Sequence, residues 1–354
     1  MTPTMRAAVY HGNQDVRIEE VPVPRLRDGE VLVAVRRSGI CGSDATEWAA
    51  GPKMVPLTRR HPGSGHLGPM IIGHEFVGEV VDAGEGFAAG DLVAAGAGVS
   101  CGQCDRCGEG RTNLCRRYYT LGLNAPGGLA EYVAAPAGML RPIPAGVPLD
   151  HAGLAQPLAV GLHAARRAGV RPGDAVVVIG AGAIGSFVLA GLRHLDDADV
   201  TVVDFAGEKL DRAARLGATR TVDAAGDVVE AVRELTGGRG ADVVIEASGA
   251  PGQFENALRM VTDGGRILAV GLPKKAPAVD LFGLVLREIT VESTVAHVCG
   301  ADLVPALEIL SAGVLGAELL DSVIGLDELT DRGLARLAAG GVDGKVLIDP
   351  GRRS

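Results

Sequence analysis

The sequence predicts an α/β protein with a mostly antiparallel β domain over residues 1–157, a doubly wound parallel α/β domain over 158–296, and a return to the first domain over 297–354. Three observations carry this. Up to about Pro144 short alternating strands are separated by Gly, Pro and Asp, the punctuation of antiparallel sheets. From about Leu158 apolar runs alternate with helical stretches, the rhythm of parallel strands joined by crossovers. Within that second region, Val176–Asp204 runs from a β-branched stretch into Gly180, Gly182 and Gly185, then through an uncharged amphipathic stretch to a second apolar run that ends in an acid.

With 354 residues the chain can bury two cores. Its 47% hydrophobic and 22% charged residues describe an ordinary soluble globular protein. A net charge of −9 leaves no basic excess to neutralise phosphates, which argues against nucleic acid or an anionic membrane and for a small-molecule partner. The start, MTPTMRAAVYHG, has no apolar core behind a basic segment, so no secretory signal is expected and the cytoplasm is the expected location. Ala175–Leu192 holds 18 residues without a charge and raises the membrane question. Its four glycines and its natural split into strand and helix favour a buried cofactor segment. Six cysteines, four of them inside fifteen residues, point to metal rather than disulfides.

In the first domain, strands are expected at 6–10, 15–21, 30–40, 74–84, 91–96 and 129–135. Gly39-Ile40-Cys41-Gly42-Ser43-Asp44 closes the third of these. Alone, Cys41 reads equally as a small buried hydrophobe. Thirty-three residues later Gly73-His74-Glu75 opens a strand. A thiolate and an imidazole brought together there make two zinc ligands, with a carboxylate beside them and a position open to water. The intervening 49–69 is rich in Pro and Gly and reads as a long surface loop, a type that more often has a function than not. His61 and His66 within it are either solvated or reach a substrate. Cys101, Cys104, Cys107 and Cys115 sit in a lobe spanning 98–118. Four soft ligands on one loop close tetrahedrally around zinc and leave no position for substrate, which makes a structural site. A nucleic-acid zinc finger is the rival reading; the acidic charge and the lack of a basic recognition helix count against it.

In the second domain strands are expected at 175–180, 200–204, 220–223, 241–248, 266–271 and 289–295, apolar on both faces, with helices at 208–217 and 228–237 among the connections. Gly180, Gly182 and Gly185, with Ile184 before the last, fit G-x-G-x-x-G: glycines for a sharp turn, for backbone approach to a pyrophosphate and for packing helix on strand. The free N–H groups of the following helix then face that anion. Asp204 lies 19 residues beyond Gly185, where a carboxylate accepts hydrogen bonds from an adenosine ribose. Its charge repels a 2′-phosphate and favours NAD. Lys209 reads either as a solvated helix lysine or as a contact to the adenosine end. Cys299 fits neither cysteine set and reads as packing.

In this order and at these distances, GICGSD, GHE, the four-cysteine lobe, GGLAEYV and GAGAIG resemble the zinc-dependent medium-chain alcohol and polyol dehydrogenases over essentially the whole chain. CGSDxxEWxxGP followed by HPGSG before GHE is most similar to the butanediol dehydrogenase branch, with sorbitol and glucose dehydrogenases as near relatives. The resemblance implies a GroES-like β domain joined to a Rossmann cofactor domain. It also implies that Cys41 and His74 bind a catalytic zinc, with Glu75 a ligand or close partner. Where that branch carries the acid of an E-P-L segment, this chain has Gln156-Pro157-Leu158. A neutral amide is a weaker ligand and leaves the site more positive; glutamine also occurs here in glucose dehydrogenase-like members. Ser43 corresponds to the hydroxyl that passes the substrate proton onward, Thr46 replaces the family's relay histidine, and Asp44 resembles the carboxylate that orients His74. The backbones of Val270-Gly271-Leu272 and of Thr294–Ala296 would flank the nicotinamide. Lys345, on a last strand at 344–348, matches a position that often reaches the pyrophosphate.

The implied reaction is a reversible oxidation of a secondary alcohol, a vicinal diol, polyol or cyclitol, with zinc as Lewis acid and NAD as hydride acceptor. An aldose dehydrogenase and a catalytically silent zinc- or NAD-binding member are the alternatives. A homodimer or homotetramer is expected, with 289–295 extending a sheet across an interface.

Overall fold

A computed structural model describes residues 3–82, 86–195 and 198–353. The last two residues of the strand expected at 74–84, residues 196–197 of Val176–Asp204 and the first two residues of the chain lie outside the described residues. The chain forms two compact units, Met1–Ala159 with His297–Ser354, and Val160–Ala296.

The first unit begins with β1 (Thr4–Gly12), β2 (Asp15–Pro22), β3 (Glu30–Gly39), β4 (Met70–Ile71), β5 (Glu75–Asp82), β6 (Leu92–Ala95), β7 (Gly98–Val99), β8 (Tyr119–Thr120), β9 (Tyr132–Pro136) and β10 (Leu140–Pro142). β1 lies antiparallel to β2 and, on its other side, to β4. β3 is the hub of a second sheet and pairs antiparallel with both β5 and β9. Its alternate residues Val31, Val33 and Val35 enter a core with Phe76, Val80 and Val93, as the two-residue period of a strand requires. Immediately after β3 the chain turns into a helix, Gly42–Ala50, which the strand pattern did not signal. Its start is held locally, because the Asp44 carboxylate accepts the Cys41 N–H at 2.9 Å.

The second unit is a parallel sheet of β11 (Ala175–Ile179), β12 (Asp199–Asp204), β13 (Arg220–Asp223), β14 (Ala241–Glu246), β15 (Val261–Ala269) and β16 (Thr290–Ser293), in the spatial order β13-β12-β11-β14-β15-β16. The order reverses direction between β11 and β14, so the ends of these two strands form the switch point of a doubly wound sheet. Val176, Val178, Val200 and Val202 enter one core, while Val177, Ile179 and Val203 enter another. Both faces are therefore covered, which explains the continuous apolar runs. The uncharged segment Ala175–Leu192 divides into β11 and most of the helix Ala183–Leu195. Among the described residues no helix is long and apolar enough to cross a membrane.

The chain returns to the first unit through β17 (Leu320–Gly325) and β18 (Lys345–Asp349), which are parallel to each other. β18 then joins β3 antiparallel, with Leu347 opposite Gly39. This long-range pairing places the end of the chain beside Cys41.

Candidate active site and metal centres

Three segments meet at the end of β3. Cys41 follows it, Glu75 opens β5 directly opposite Gly39, and Lys345 opens β18. A Cβ on residue 39 would stand 2.2 Å from Glu75 Oε2, so only glycine lets that carboxylate lie across the strand. The ligand atoms of Cys41, His74 and Glu75 all lie within 4.8 Å of one another. His74 and Glu75 are 6% and 1% exposed. Thiolate, imidazole and carboxylate are the donor types that zinc takes, so this cluster fits that ion.

Asp44 serves two partners: Oδ2 accepts the Cys41 N–H, and Oδ1 stands 3.6 Å from His74 Nδ1. Burial opposes a charge on His74, but Asp44 and Cys41 outweigh it and hold the imidazole well above its usual range. Lys345 donates to Glu75 Oε1 and to the Ile40 carbonyl, each at 2.8 Å, and its ammonium sits 2.6 Å from Glu75 Oε2. Burial also opposes this charge, and Glu75 with Cys41 outweighs it. The Ser43 hydroxyl oxygen is buried with no hydrogen-bond partner among the described residues, while Thr46 is exposed. Gln156 is buried in the first turn of the helix Ala155–Ala168.

The four cysteines of the lobe also converge, all Sγ atoms within 4.8 Å of one another. Cys104 and Cys107 Sγ stand 3.6 Å apart, close to the edge of about 3.8 Å expected for a tetrahedron with zinc–sulfur bonds near 2.3 Å. The backbone N–H of Gln103, then Cys115 and the Cys104 N–H, hold the Cys101 thiol down to about 6. Burial and the neighbouring Cys104 and Cys115 push Cys107 up to about 11. Four thiolates cannot coexist there without a cation, and a divalent metal relieves that repulsion. Arg116 grips Asp105 through two bonds of 2.7 Å and braces the lobe.

In the second unit Gly180 leaves β11 at φ 102°, and a Cβ on Gly185 would lie 1.8 Å from the Gly180 carbonyl. At Gly182 a Cβ would meet nothing within 4 Å. The turn therefore presents open backbone at the start of the helix Ala183–Leu195, a fit for a pyrophosphate. Ile184 packs half-buried on the core. Asp204 ends β12, and its two oxygens accept the N–H groups of Ala181 and Phe205 at 2.7 and 2.8 Å. Buried Arg212 donates to the Ala181 carbonyl at 3.2 Å, so the peptides on either side of Ala181 are held by two side chains. Lys209 is exposed. The Glu246 carbonyl accepts Val270 and Gly271 N–H, and its carboxylate accepts those of Ser248 and Gly249, drawing two loops together. Leu272 is 92% exposed. Thr294 Oγ1 is buried without a partner among the described residues.

The zinc-binding dehydrogenase family matches residues 183–311, and the alcohol dehydrogenase GroES-like domain matches residues 27–145. (R,R)-butanediol dehydrogenase of Bacillus subtilis is 33% identical over 351 residues, which cover 98% of this chain and 100% of that protein. Sorbitol dehydrogenase of Bacillus subtilis is 33% identical over 276 residues, 77% of this chain and 76% of that one. The crystal structure of 2R,3R-butanediol dehydrogenase from Bacillus subtilis matches with a TM-score of 0.88 at 31% identity, over 98% of this chain and 99% of that one.

This chain belongs to the zinc-binding dehydrogenases. Zinc and NAD are its cofactors, and it is an enzyme with the GroES-like and Rossmann domains of that family.

In this dehydrogenase one expected role changes. Lys345, expected at the pyrophosphate, is 6% exposed and gives its ammonium to Glu75 and the Ile40 carbonyl instead. The reason is the pairing of β18 with β3, which carries the lysine into the cluster. The two loop histidines serve their own loop: His61 Nδ1 accepts the N–H groups of Gly63 and Ser64, and His66 Nε2 lies 3.2 Å from the carbonyls of Gly68 and Pro69. Glu47, which as a helix acid gave no signal, is 1% exposed and accepts the N–H groups of Lys53, Met54 and Val55. It ties the start of the long loop to the helix that carries Ser43. Only a non-periodic Gly/Pro stretch after an acid hinted at that.

Proposed function

We propose that this dehydrogenase reversibly oxidises a secondary alcohol that bears a neighbouring hydroxyl, a vicinal diol, polyol or cyclitol, to the ketone. Residues 1–157 and 297–354 serve as the catalytic domain and 158–296 as the NAD domain. The observation that carries the reading is the convergence of Cys41, His74 and Glu75 at the end of β3, next to a buried serine hydroxyl without a partner among the described residues. The similarity to a butanediol and a sorbitol dehydrogenase supports the substrate class.

When bound, zinc supplies Lewis acidity toward the hydroxyl oxygen and nicotinamide supplies the hydride acceptor. Cys41 and His74 hold the metal, Glu75 and Gln156 complete its surroundings, and Asp44 keeps the His74 ring in orientation. Ser43 Oγ takes the proton of the substrate hydroxyl. Thr46 has no ring nitrogen to carry it further, so water does. Of Glu75 and Gln156, Glu75 is held by Lys345, which leaves Gln156 as the polar side chain for the second hydroxyl. On the cofactor side, the open backbone of Gly182 receives the pyrophosphate and Asp204 the ribose. Lys209 serves the adenosine end; Val270, Gly271, Leu272 and Thr294 serve the nicotinamide. Cys101, Cys104, Cys107 and Cys115 hold the structural zinc.

The enzyme assembles as a homodimer or homotetramer. The apolar, exposed Phe282, Val285 and Leu286 near the edge strand β16 support this. Six free cysteines suit a reducing cytoplasm.

The test is NADH formation over a panel of 2,3-butanediol stereoisomers, sorbitol, inositols, glucose and simple monoalcohols. We expect diols or polyols to lead; equal turnover of monoalcohols would defeat the reading. Gln156 in place of an acid favours one second reading, an aldose dehydrogenase, and glucose leading the same panel would select it.

A further inference from the structure

We propose that the first domain carries a second ligand site, for a small organic anion with an apolar body, in a cavity of about 530 Å³ walled by β2, the loop after it, the long loop at 60–67 and β9. The cavity lies wholly within one unit, and Cys41, His74, Glu75 and Gln156 are not among its walls. Its size suits a metabolite.

The charge of this cavity opposes that of the chain. Arg25, Arg27 and Arg60 face it against a single carboxylate, Glu30, in a protein of net charge −9. Among the described residues none of these three arginines is ion-paired. Glu30 already accepts the Arg27 backbone N–H at 2.9 Å, and Arg60 donates to the Gly65 carbonyl at 2.6 Å. A second cavity, of about 260 Å³ in the other unit, is the useful contrast. Its Arg220 and Arg239 are neutralised by Asp199 and Asp242. At the first cavity no acid pairs with the three arginines among the described residues. Guanidinium groups left in that state match a carboxylate or a phosphate.

Tyr119 and Tyr132 supply the apolar walls. Burial and Glu30 push the Tyr119 phenol above its usual range against the pull of Arg27, so it stays protonated and able to donate. The long-loop wall is braced in advance: His61 closes its turn and the Ser64 hydroxyl donates to the Asn124 carbonyl. Little ordering remains to oppose binding. The Pro- and Gly-rich loop thus acquires a role as the wall of an anion site.

Calorimetric titration of the zinc-loaded, NADH-saturated full-length enzyme with phthalate, and separately with inorganic phosphate, tests this. Saturating NADH keeps the cofactor's own anion site filled. We expect phthalate to bind saturably at one site per chain, and Arg27→Glu/Arg60→Glu to weaken it by about tenfold or more without change in turnover. Phosphate binding that the same variant weakens identifies the charged group as the anchor. No saturable binding of either anion overturns the proposal, as does a variant that binds phthalate within about twofold of the parent. If the glutamate pair fails to fold, Arg27→Gln/Arg60→Gln makes the same comparison.

Discussion

The two donor clusters belong to one unit and are built in opposite ways. Cys101, Cys104, Cys107 and Cys115 lie within fifteen residues and are all sulfur. Cys41, His74 and Glu75 come from the ends of two strands, and Lys345, which neutralises Glu75, lies 270 residues further along the chain. In the first cluster backbone N–H groups lead in holding Cys101 down; in the second the whole charge of Asp44 leads in raising His74 against its burial. A cluster whose donors share one loop needs its metal to stay folded, because short-range chain geometry alone does not hold four thiols together. A cluster assembled by a sheet keeps its shape without the ion and can leave a position for chemistry.

The largest expected effect separates the two. Cys41→Ser should lower turnover by about a thousandfold or more, several kcal/mol of transition-state stabilisation, while the melting temperature stays near that of the parent. Cys104→Ser should lower the melting temperature first, with activity following the folded fraction. Thermal unfolding, zinc content and NADH formation measured together decide it. Equal destabilisation by both substitutions would break the contrast.

The next effect is expected from Lys345→Met. It leaves the buried Glu75 carboxylate without its cation, which costs about 3–5 kcal/mol in denaturant unfolding. Lys345→Met/Glu75→Leu should recover most of that, because the pair is removed together. A single variant as stable as the parent would mean that Glu75 is not charged in the folded protein. The smallest effect is expected from Asp44→Asn, which keeps an acceptor for the Cys41 N–H but loses the charge facing His74. Zinc at the Cys41 site should bind about 10–100-fold more weakly in chelator competition, with the lobe zinc unchanged. A loss shared by both metals would show that the two clusters are not independent.

Much of this was legible before any coordinates. The cysteine lobe, the turn at Gly180, Gly182 and Gly185, and the division into antiparallel and parallel domains all follow from residues close in the chain. Ligand spacing, strand period and turn glycines act over a few positions, so they can be read there. Other features could not be read that way. Lys345 resembles a cofactor lysine until β18 is seen beside β3. Glu47 carries no signal in the sequence; only the fold shows the loop at 53–55 closing over it. Gly39 is an ordinary strand glycine until Glu75 proves to lie across it. The sequence by itself determined most of the strands, the gathering of four cysteines on one lobe and the glycine turn after β11. Tertiary structure alone decided which charges are buried together. Partners for a buried charge come from strands hundreds of residues apart, and no local pattern records which of them share a sheet.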